Sequence, residues 1–226
     1  MDKTYEVHTF KAAFLGIKNY IYIIVDKETR EAAIIDPAWD LEGIINLLGV
    51  INAKLMVILL THSHFDHVNL VKPLLNEFNP RVYMSAKEIS FYHFNCRNLN
   101  PFQHLDILSL GFTDITFIST PGHTAGGACF LLSDSIFTGD TIFIEGCGIC
   151  SLKEGGSPEK IYESIQYIKT IVKPEVFVYP GHSFGKKPGY PLGYLMENNI
   201  YFLIDKKDMF ISFRMRKNQT KLFEFV

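Results

Sequence analysis

The side chains best suited to chemistry crowd into one stretch, Thr61-His62-Ser63-His64-Phe65-Asp66-His67-Val68, which puts three imidazoles and a carboxylate within eight positions. It follows directly on the apolar run KLMVILL. Packed into a core, such a cluster would bury charge and unpaired donors at a cost of several kcal/mol. Imidazole and carboxylate are ligands for zinc, and they suit iron and manganese as well. On an extended chain alternate side chains share a face, so His62 and His64 can converge; His67 joins them only if the chain turns into a helix there. Such a turn splits the set, with His62 and His64 at one ion and Asp66 and His67 at a second.

Each ion needs further donors, because a working zinc site takes three or four protein ligands and keeps a position for water. Three later strand-like runs end in glycine followed by a ligand-type residue: Thr120-Pro121-Gly122-His123, Thr138-Gly139-Asp140 and Tyr179-Pro180-Gly181-His182. Glycine there permits a close or left-handed turn that delivers the next side chain over a sheet edge. Five of the eight histidines fall in these motifs, and His8, His93 and His104 read as structural. Two neighbouring divalent ions would activate a shared water and polarise a carbonyl. The expected chemistry is therefore hydrolysis without a serine or cysteine nucleophile.

The elements around these residues read as a mixture of strands and helices. YEVHTF, YIYIIVD and AAIIDP are strand-like, with DKETR as the hairpin loop between the last two. Asp40 N-caps LEGIINLLG, whose Leu41, Ile44, Ile45 and Leu48 share one face. KLMVILL reads as a strand buried on both faces. A helix is expected over 68–78, with strands over 81–84, 115–119, 128–132, 136–138 and 176–179. Ser157-Pro158 opens another helix, lined by Ile161, Ile165, Ile168 and Val172. FISFRMR, KNQT and KLFEFV read as a closing hairpin, so that residues 1–226 form one domain with a β-hairpin extension over about 209–226.

Composition narrows the function classes. With 226 residues, 47% hydrophobic and 20% charged, the chain can bury a sizeable core. No apolar run approaches the roughly 20 residues of a membrane span, and the first residues lack a secretory pattern, so a cytoplasmic protein is expected. Four cysteines, irregularly spaced, do not make a disulfide framework. Cys147-x-x-Cys150, Tyr190 and Tyr194 read as packing residues. A net charge of −2 offers nucleic acid no footprint. The stretch from Ser183 onward is locally basic, with eight Lys or Arg against four acids. Its Lys186, Lys187, Lys206, Lys207, Arg214, Arg216 and Lys217 could face an acidic partner.

His-x-His-x-Asp-His followed in order by a distal His, Asp and His resembles the metallo-β-lactamase superfamily over roughly 22–182. The resemblance implies an α/β fold of four layers, an αββα sandwich with metals at one edge. It implies His62, His64 and His123 at the first ion, Asp66, His67 and His182 at the second, Asp140 bridging, and Asp66 also orienting the nucleophile. GDTIFIEGCG looks like the corresponding run of glyoxalase II, a thioester hydrolase. That family holds glutathione with a Lys and a Tyr where Ile149, Cys150 and Ser151 follow here, and has Tyr at Phe184, so glutathione is not the expected handle. Across nearly the whole chain, the IKNYIYIIVDKETREAAIIDPAW, CRNL, PGHTAGG, EGCGIC and YPGHSFGK segments are similar to the zinc-dependent hydrolases of trans-acyltransferase polyketide clusters such as that of bacillaene. This implies two Zn2+ per chain, with iron or manganese as substitutes, and an acyl thioester substrate. The thioester would be held on a small thiol or on an acyl carrier protein docked at the basic stretch. Two other readings share these motifs: an iron-dependent, persulfide dioxygenase-like oxidoreductase and a non-catalytic acyl-carrier-binding protein.

Overall fold

The computed structural model describes residues 3–183 and 185–217. A first sheet runs β1 (Tyr5–Phe14), β2 (Ile17–Asp26), β3 (Glu31–Ile35), β4 (Lys54–Leu59), β5 (Arg81–Ser85) and β6 (Leu99–Phe102), side by side in that order. A second holds β7 (Ile107–Leu110), β8 (Thr113–Ser119), β9 (Ala128–Leu131), β10 (Ser135–Gly139), β13 (Phe177–Pro180) and β14 (Tyr190–Pro191), with β10 pairing parallel to β13. Between β10 and β13 the chain forms a small ribbon, β11 (Ile142–Phe143) with β12 (Gly146–Cys147). Helices α1 (Leu41–Val50), α2 (Phe65–Val68), α3 (Val71–Phe78) and α4 (Ala86–Tyr92) belong to the first half of the chain. The second half supplies α5 (Pro158–Ile171), α6 (Leu192–Asn198), α7 (Ile200–Leu203) and α8 (Lys207–Arg214).

Strand alternation sorts the apolar residues into separate cores. On β2, Tyr20, Tyr22 and Ile24 face the second sheet and meet Phe117, Phe130 and Phe137, while Ile21, Ile23 and Val25 point the other way onto α1 and α3. A third cluster packs the outer face of the second sheet against α5, α6, α7 and α8. Helix, sheet, sheet, helix is the αββα layering that the resemblance implied. Among the described residues no helix is long and apolar enough to cross a membrane.

The layering matters because it sends five strand ends to one edge. β3 and β4 are parallel and finish at Asp36 and just before Thr61. β8, β10 and β13 finish just before Thr120, Asp140 and Gly181. Hydrogen bonds stitch the two sheets together at this edge: Tyr20 N donates to Gly181 O at 2.8 Å, Ala128 N to Thr61 O at 2.9 Å and the Tyr22 hydroxyl to Pro180 O at 2.6 Å.

Several expected elements differ in ways that have local causes. β4 is not buried on both faces throughout. Leu55 pairs with Ala32 and Val57 with Ala33, so Met56 is the extra residue of a β-bulge and is 40% exposed. The helix expected over 68–78 is broken. Asn69 accepts from Trp39 N and Leu70 N donates to Pro37 O, ties to the neighbouring loop that stop α2. Pro73 then lies in the first turn of α3, where its missing N–H costs nothing. The C-terminal hairpin is corrected as well: FISFRMR, expected as its first strand, is helical through Arg214 in α8. Phe210, Phe213 and Arg214 share a helical face that packs on Tyr162 and Tyr201, so a 3.6-residue period was masked by apparent alternation. KLFEFV and most of KNQT lie outside the described residues.

Gly122 illustrates how tightly the edge is built. It has φ +139, and a Cβ there would fall 2.3 Å from the backbone nitrogen of Ile161, in the first turns of α5. Gly122→Ala is expected to lower the unfolding free energy by about 2 kcal/mol or more, seen as a reduced urea midpoint at unchanged slope. A variant as stable as the parent would contradict this packing.

Candidate metal centre

All seven side chains singled out by spacing lie together at the edge just described. β4 ends at Leu59, so His62 and His64 sit on the connection beyond it rather than on the strand. His64 is the last extended residue, with ψ 143, and α2 starts at Phe65; His67 N then donates to His64 O at 2.9 Å. This strand-to-helix turn separates the motif into two groups. Of the three glycines preceding ligands, Gly122 and Gly139 have positive φ, whereas Gly181 does not.

Among the described residues three triads have ligand atoms within 4.8 Å of one another: His62, His64 and His123; Asp66, His67 and His182; and Asp36, His62 and His67, which runs between the first two and whose carboxylate is already taken up by Thr61 and the outer nitrogen of His67. In the first, His64 Nδ1 is 3.1 Å from His62 Nε2 and 3.0 Å from His123 Nε2. In the second, His182 Nε2 is 3.3 Å from His67 Nε2 and 3.2 Å from Asp66 Oδ2. Asp140 lies between them. Its Oδ1 is 3.5 Å from His67 Nε2, and its Oδ2 is 3.6 Å from His123 Nε2 and 3.5 Å from His182 Nε2.

The outward ring nitrogens show what the inward ones offer. His123 Nδ1 faces Ile149 O at 2.8 Å, His182 Nδ1 faces Lys18 O at 2.7 Å and His67 Nδ1 faces Asp36 Oδ2 at 2.9 Å. These partners only accept, so each Nδ1 carries the proton. Thr61 Oγ1 donates to Asp36 Oδ2 at 2.5 Å, which leaves it to accept from His62 Nδ1 at 3.0 Å. With Nδ1 committed outward, or to Thr61 in the case of His62, four rings thus direct their Nε2 atoms inward, toward one another and toward two carboxylates. Asp140 Oδ1 is buried without a hydrogen-bond partner. This donor set fits divalent cations, since hydrogen bonds among the inward atoms cannot satisfy it.

Electrostatics agrees. Burial and the surrounding imidazoles push His62 well below its ordinary pKa, and burial takes His123 down to about 4. Burial would lower His67 too, but Asp140, Asp66 and Asp36 outweigh it and hold the ring at about 10. Against burial, His67, His182 and Asn19 keep Asp66 far below the usual carboxylate range. The chain's own answer to the converging negative charge is a proton on His67, in the place a metal would take.

Residues that the spacing argument did not find complete the centre. Asp36, at the end of β3 and 2% exposed, also accepts from Thr61 N at 2.8 Å. Asn19 donates to Asp66 O at 2.8 Å and to Asp66 Oδ2 at 3.3 Å while accepting from Trp39 Nε1 at 2.7 Å. Asp36 had a signal of the same kind as Asp140, a carboxylate ending a buried strand; Asn19 had none. The three histidines read as structural have other partners: His8 meets Glu6, His104 meets Tyr167, and His93 caps α4 with φ 54. Ile149 contributes its carbonyl to the centre, and Phe184 lies outside the described residues. All four cysteines are free thiols. Three members of the expected basic surface are engaged elsewhere: Arg214 is buried against the Tyr201 hydroxyl, Arg216 donates to Phe213 O at 2.6 Å, and Lys207 pairs with Glu163 at 2.6 Å.

The sequence matches the metallo-beta-lactamase superfamily profile over residues 16–182, and the chain belongs to that superfamily. It is 53% identical over 225 residues, spanning both proteins completely, to a protein of Bacillus subtilis (strain 168) named "Probable polyketide biosynthesis zinc-dependent hydrolase PksB". It is 29% identical over 153 residues to the hydroxyacylglutathione hydrolase of Shewanella halifaxensis (strain HAW-EB4), covering 68% of this chain and 57% of that one. Among solved structures, a metallo-beta-lactamase from Staphylococcus aureus subsp. aureus COL superposes with a TM-score of 0.81 at 25% identity, covering 96% of this chain and 68% of the other.

A proton on His67 competes with a metal for the same atom. Loading the metal-free protein near neutral pH must expel it, so apparent affinity rises with pH, by up to about tenfold per unit, until the ring's value near 10 is passed. Calorimetry in buffers of different ionisation heat should register release of about one proton per ion at this group. An affinity that is flat between about pH 6 and about pH 9 would contradict the assignment.

Proposed function

We propose that this protein is a zinc-dependent hydrolase that cleaves an acyl thioester in polyketide biosynthesis. The observation that carries the reading is the convergence of inward-facing imidazole lone pairs and two carboxylates, one of them with a buried oxygen that lacks a hydrogen-bond partner. His62, His64 and His123 would hold one ion, Asp66, His67 and His182 the other, and Asp140 would lie between them. When bound, such a pair lowers the pKa of a water toward neutrality and polarises the carbonyl it attacks. The full-length relative named for polyketide biosynthesis and zinc supports the metal and the pathway, and the similarity to hydroxyacylglutathione hydrolase supports the thioester.

The chain's own residues define the remaining tasks. Asp66, held by Asn19 on both its carbonyl and its carboxylate, orients the attacking water. The thiolate leaving group needs little protonation, given a thiol pKa of about 8.5 in free cysteine. Phe14, Trp39 and Phe65 form an aromatic ledge beside Asp66, with ring centroids 5.2 Å and 5.9 Å apart, and Phe65 is 71% exposed. An acyl chain would lie on this apolar surface. Lys186 and Lys187, exposed and close in sequence to His182, are the part of the basic stretch offered to an acidic acyl carrier protein.

A panel of acyl thioesters on coenzyme A, glutathione, N-acetylcysteamine and acyl carrier protein, followed by thiol release from the zinc-loaded protein, tests this reading. The expected result is turnover of the carrier and pantetheine-type thioesters over glutathione. Asp140→Ala should lower kcat/KM by at least about 100-fold, and charge reversal at Lys186 and Lys187 should weaken the salt dependence of carrier turnover only. Absence of thiol release, or oxygen uptake by iron-loaded protein in its place, would overturn it.

A further inference from the structure

We infer that Glu88 is a positioning residue for the metal centre, its carboxylate tying the segment that bears His62 and His64 to the loop that bears His123. The inference rests on the reading that these three imidazoles hold an ion. Ser85-Ala86-Lys87-Glu88 has the spacing of a capping box, in which the fourth residue reaches back to the backbone N–H of the first. Ser85 plays its half of that motif, accepting from Glu88 N at 3.0 Å. Glu88 does not. Its Oε1 accepts from Ser63 N at 2.9 Å and from Ser63 Oγ at 2.8 Å, and its Oε2 accepts from Gly126 N at 2.9 Å.

Ser63 stands between two of the imidazoles, and Gly126 follows the third by three residues. Glu88 is fully buried, and among the described residues its carboxylate partners are these backbone and serine donors, with no lysine or arginine. A buried carboxylate is costly unless its hydrogen bonds are made, and a capping box alone would stabilise α4 without incurring that cost. α4 also grips the second loop independently: Ser85 Oγ donates to Gly126 O at 2.5 Å, and Ala125 N donates to the Tyr92 hydroxyl at 3.1 Å. A Cβ on Gly126 would lie 2.2 Å from Glu88 N, so the loop rests directly on the helix start.

The effect should concentrate at His64. His62 is anchored through Thr61 and His123 through Ile149 O, but His64 is only partly buried and its hydrogen-bond contacts, among the described residues, are to the other two rings. Its place depends on the backbone at Ser63, which Glu88 holds by two bonds. Glu88→Gln keeps the shape while presenting an amide N–H2 to one of three donors. Loosening this tie should weaken the three-imidazole group and leave the Asp66, His67 and His182 group as it was.

Cobalt titration of metal-free protein separates the two groups, because three nitrogens and a mixed nitrogen and oxygen set give different visible spectra. The expected result for Glu88→Gln is an affinity loss of about 10–100-fold at the three-imidazole group, with the other group within about twofold of the parent. Ser63→Ala, which removes one donor and leaves the carboxylate in place, should shift the same group in the same direction by a smaller factor, and it carries the test if Glu88→Gln does not fold. Equal weakening of both groups, or unchanged affinities in both variants, would overturn the role. A parent protein that binds no cobalt would instead overturn the underlying reading of the three imidazoles.

Discussion

Four imidazole rings whose outer nitrogens are already committed, together with two carboxylates, aim their inner nitrogens and oxygens at a common space, and the rest of the structure is arranged around that crowding. Left without a cation, the arrangement is held together by a proton on His67, against the tendency of burial to remove it. Divalent ions resolve the crowding far better than a proton, because each satisfies several donors at once. The two sheets make the arrangement possible by ending β3, β4, β8, β10 and β13 at one edge, so that residues as far apart as Asp36 and His182 arrive from rigid supports.

Rigid support continues outward from the rings. Asp36 fixes the His67 ring directly and Thr61 by two bonds, and Thr61 in turn receives His62, so one buried carboxylate sets two imidazoles in opposite groups. Main-chain carbonyls of Lys18 and Ile149 fix His182 and His123. Such outer partners set tautomer and direction, which is what lets inward nitrogens approach within 3.0 to 3.3 Å of one another. The substrate side is less constrained, with Phe14, Trp39 and Phe65 forming an apolar approach to Asp66 while Asn19 links Trp39 to that carboxylate.

How far the sequence is legible follows the same physics. The His62 to His67 cluster and the three glycine-preceded ligands stand out because donors that converge must sit at strand ends, and strand ends carry turn residues. Asp36 carries a weaker form of the same strand-end signal and Asn19 carries none, and the roles of both arise from contacts across 31 and 47 positions of chain. Glu88 is more instructive, because its local pattern is a capping box and tertiary partners take its carboxylate elsewhere. The same competition explains the elements that differ: bonds from Asn69 and Leu70 to the 37–39 loop break one expected helix, and the packing of Phe210 on Tyr162 and Tyr201 makes a helix from an alternating segment.

The most direct test of the central claim is a crystal structure of zinc-loaded protein with anomalous scattering recorded across the zinc edge. The account predicts two peaks per chain, one among His62, His64 and His123 and one among Asp66, His67 and His182, with Asp140 between them. Peaks elsewhere, or none in protein saturated with zinc, would contradict it.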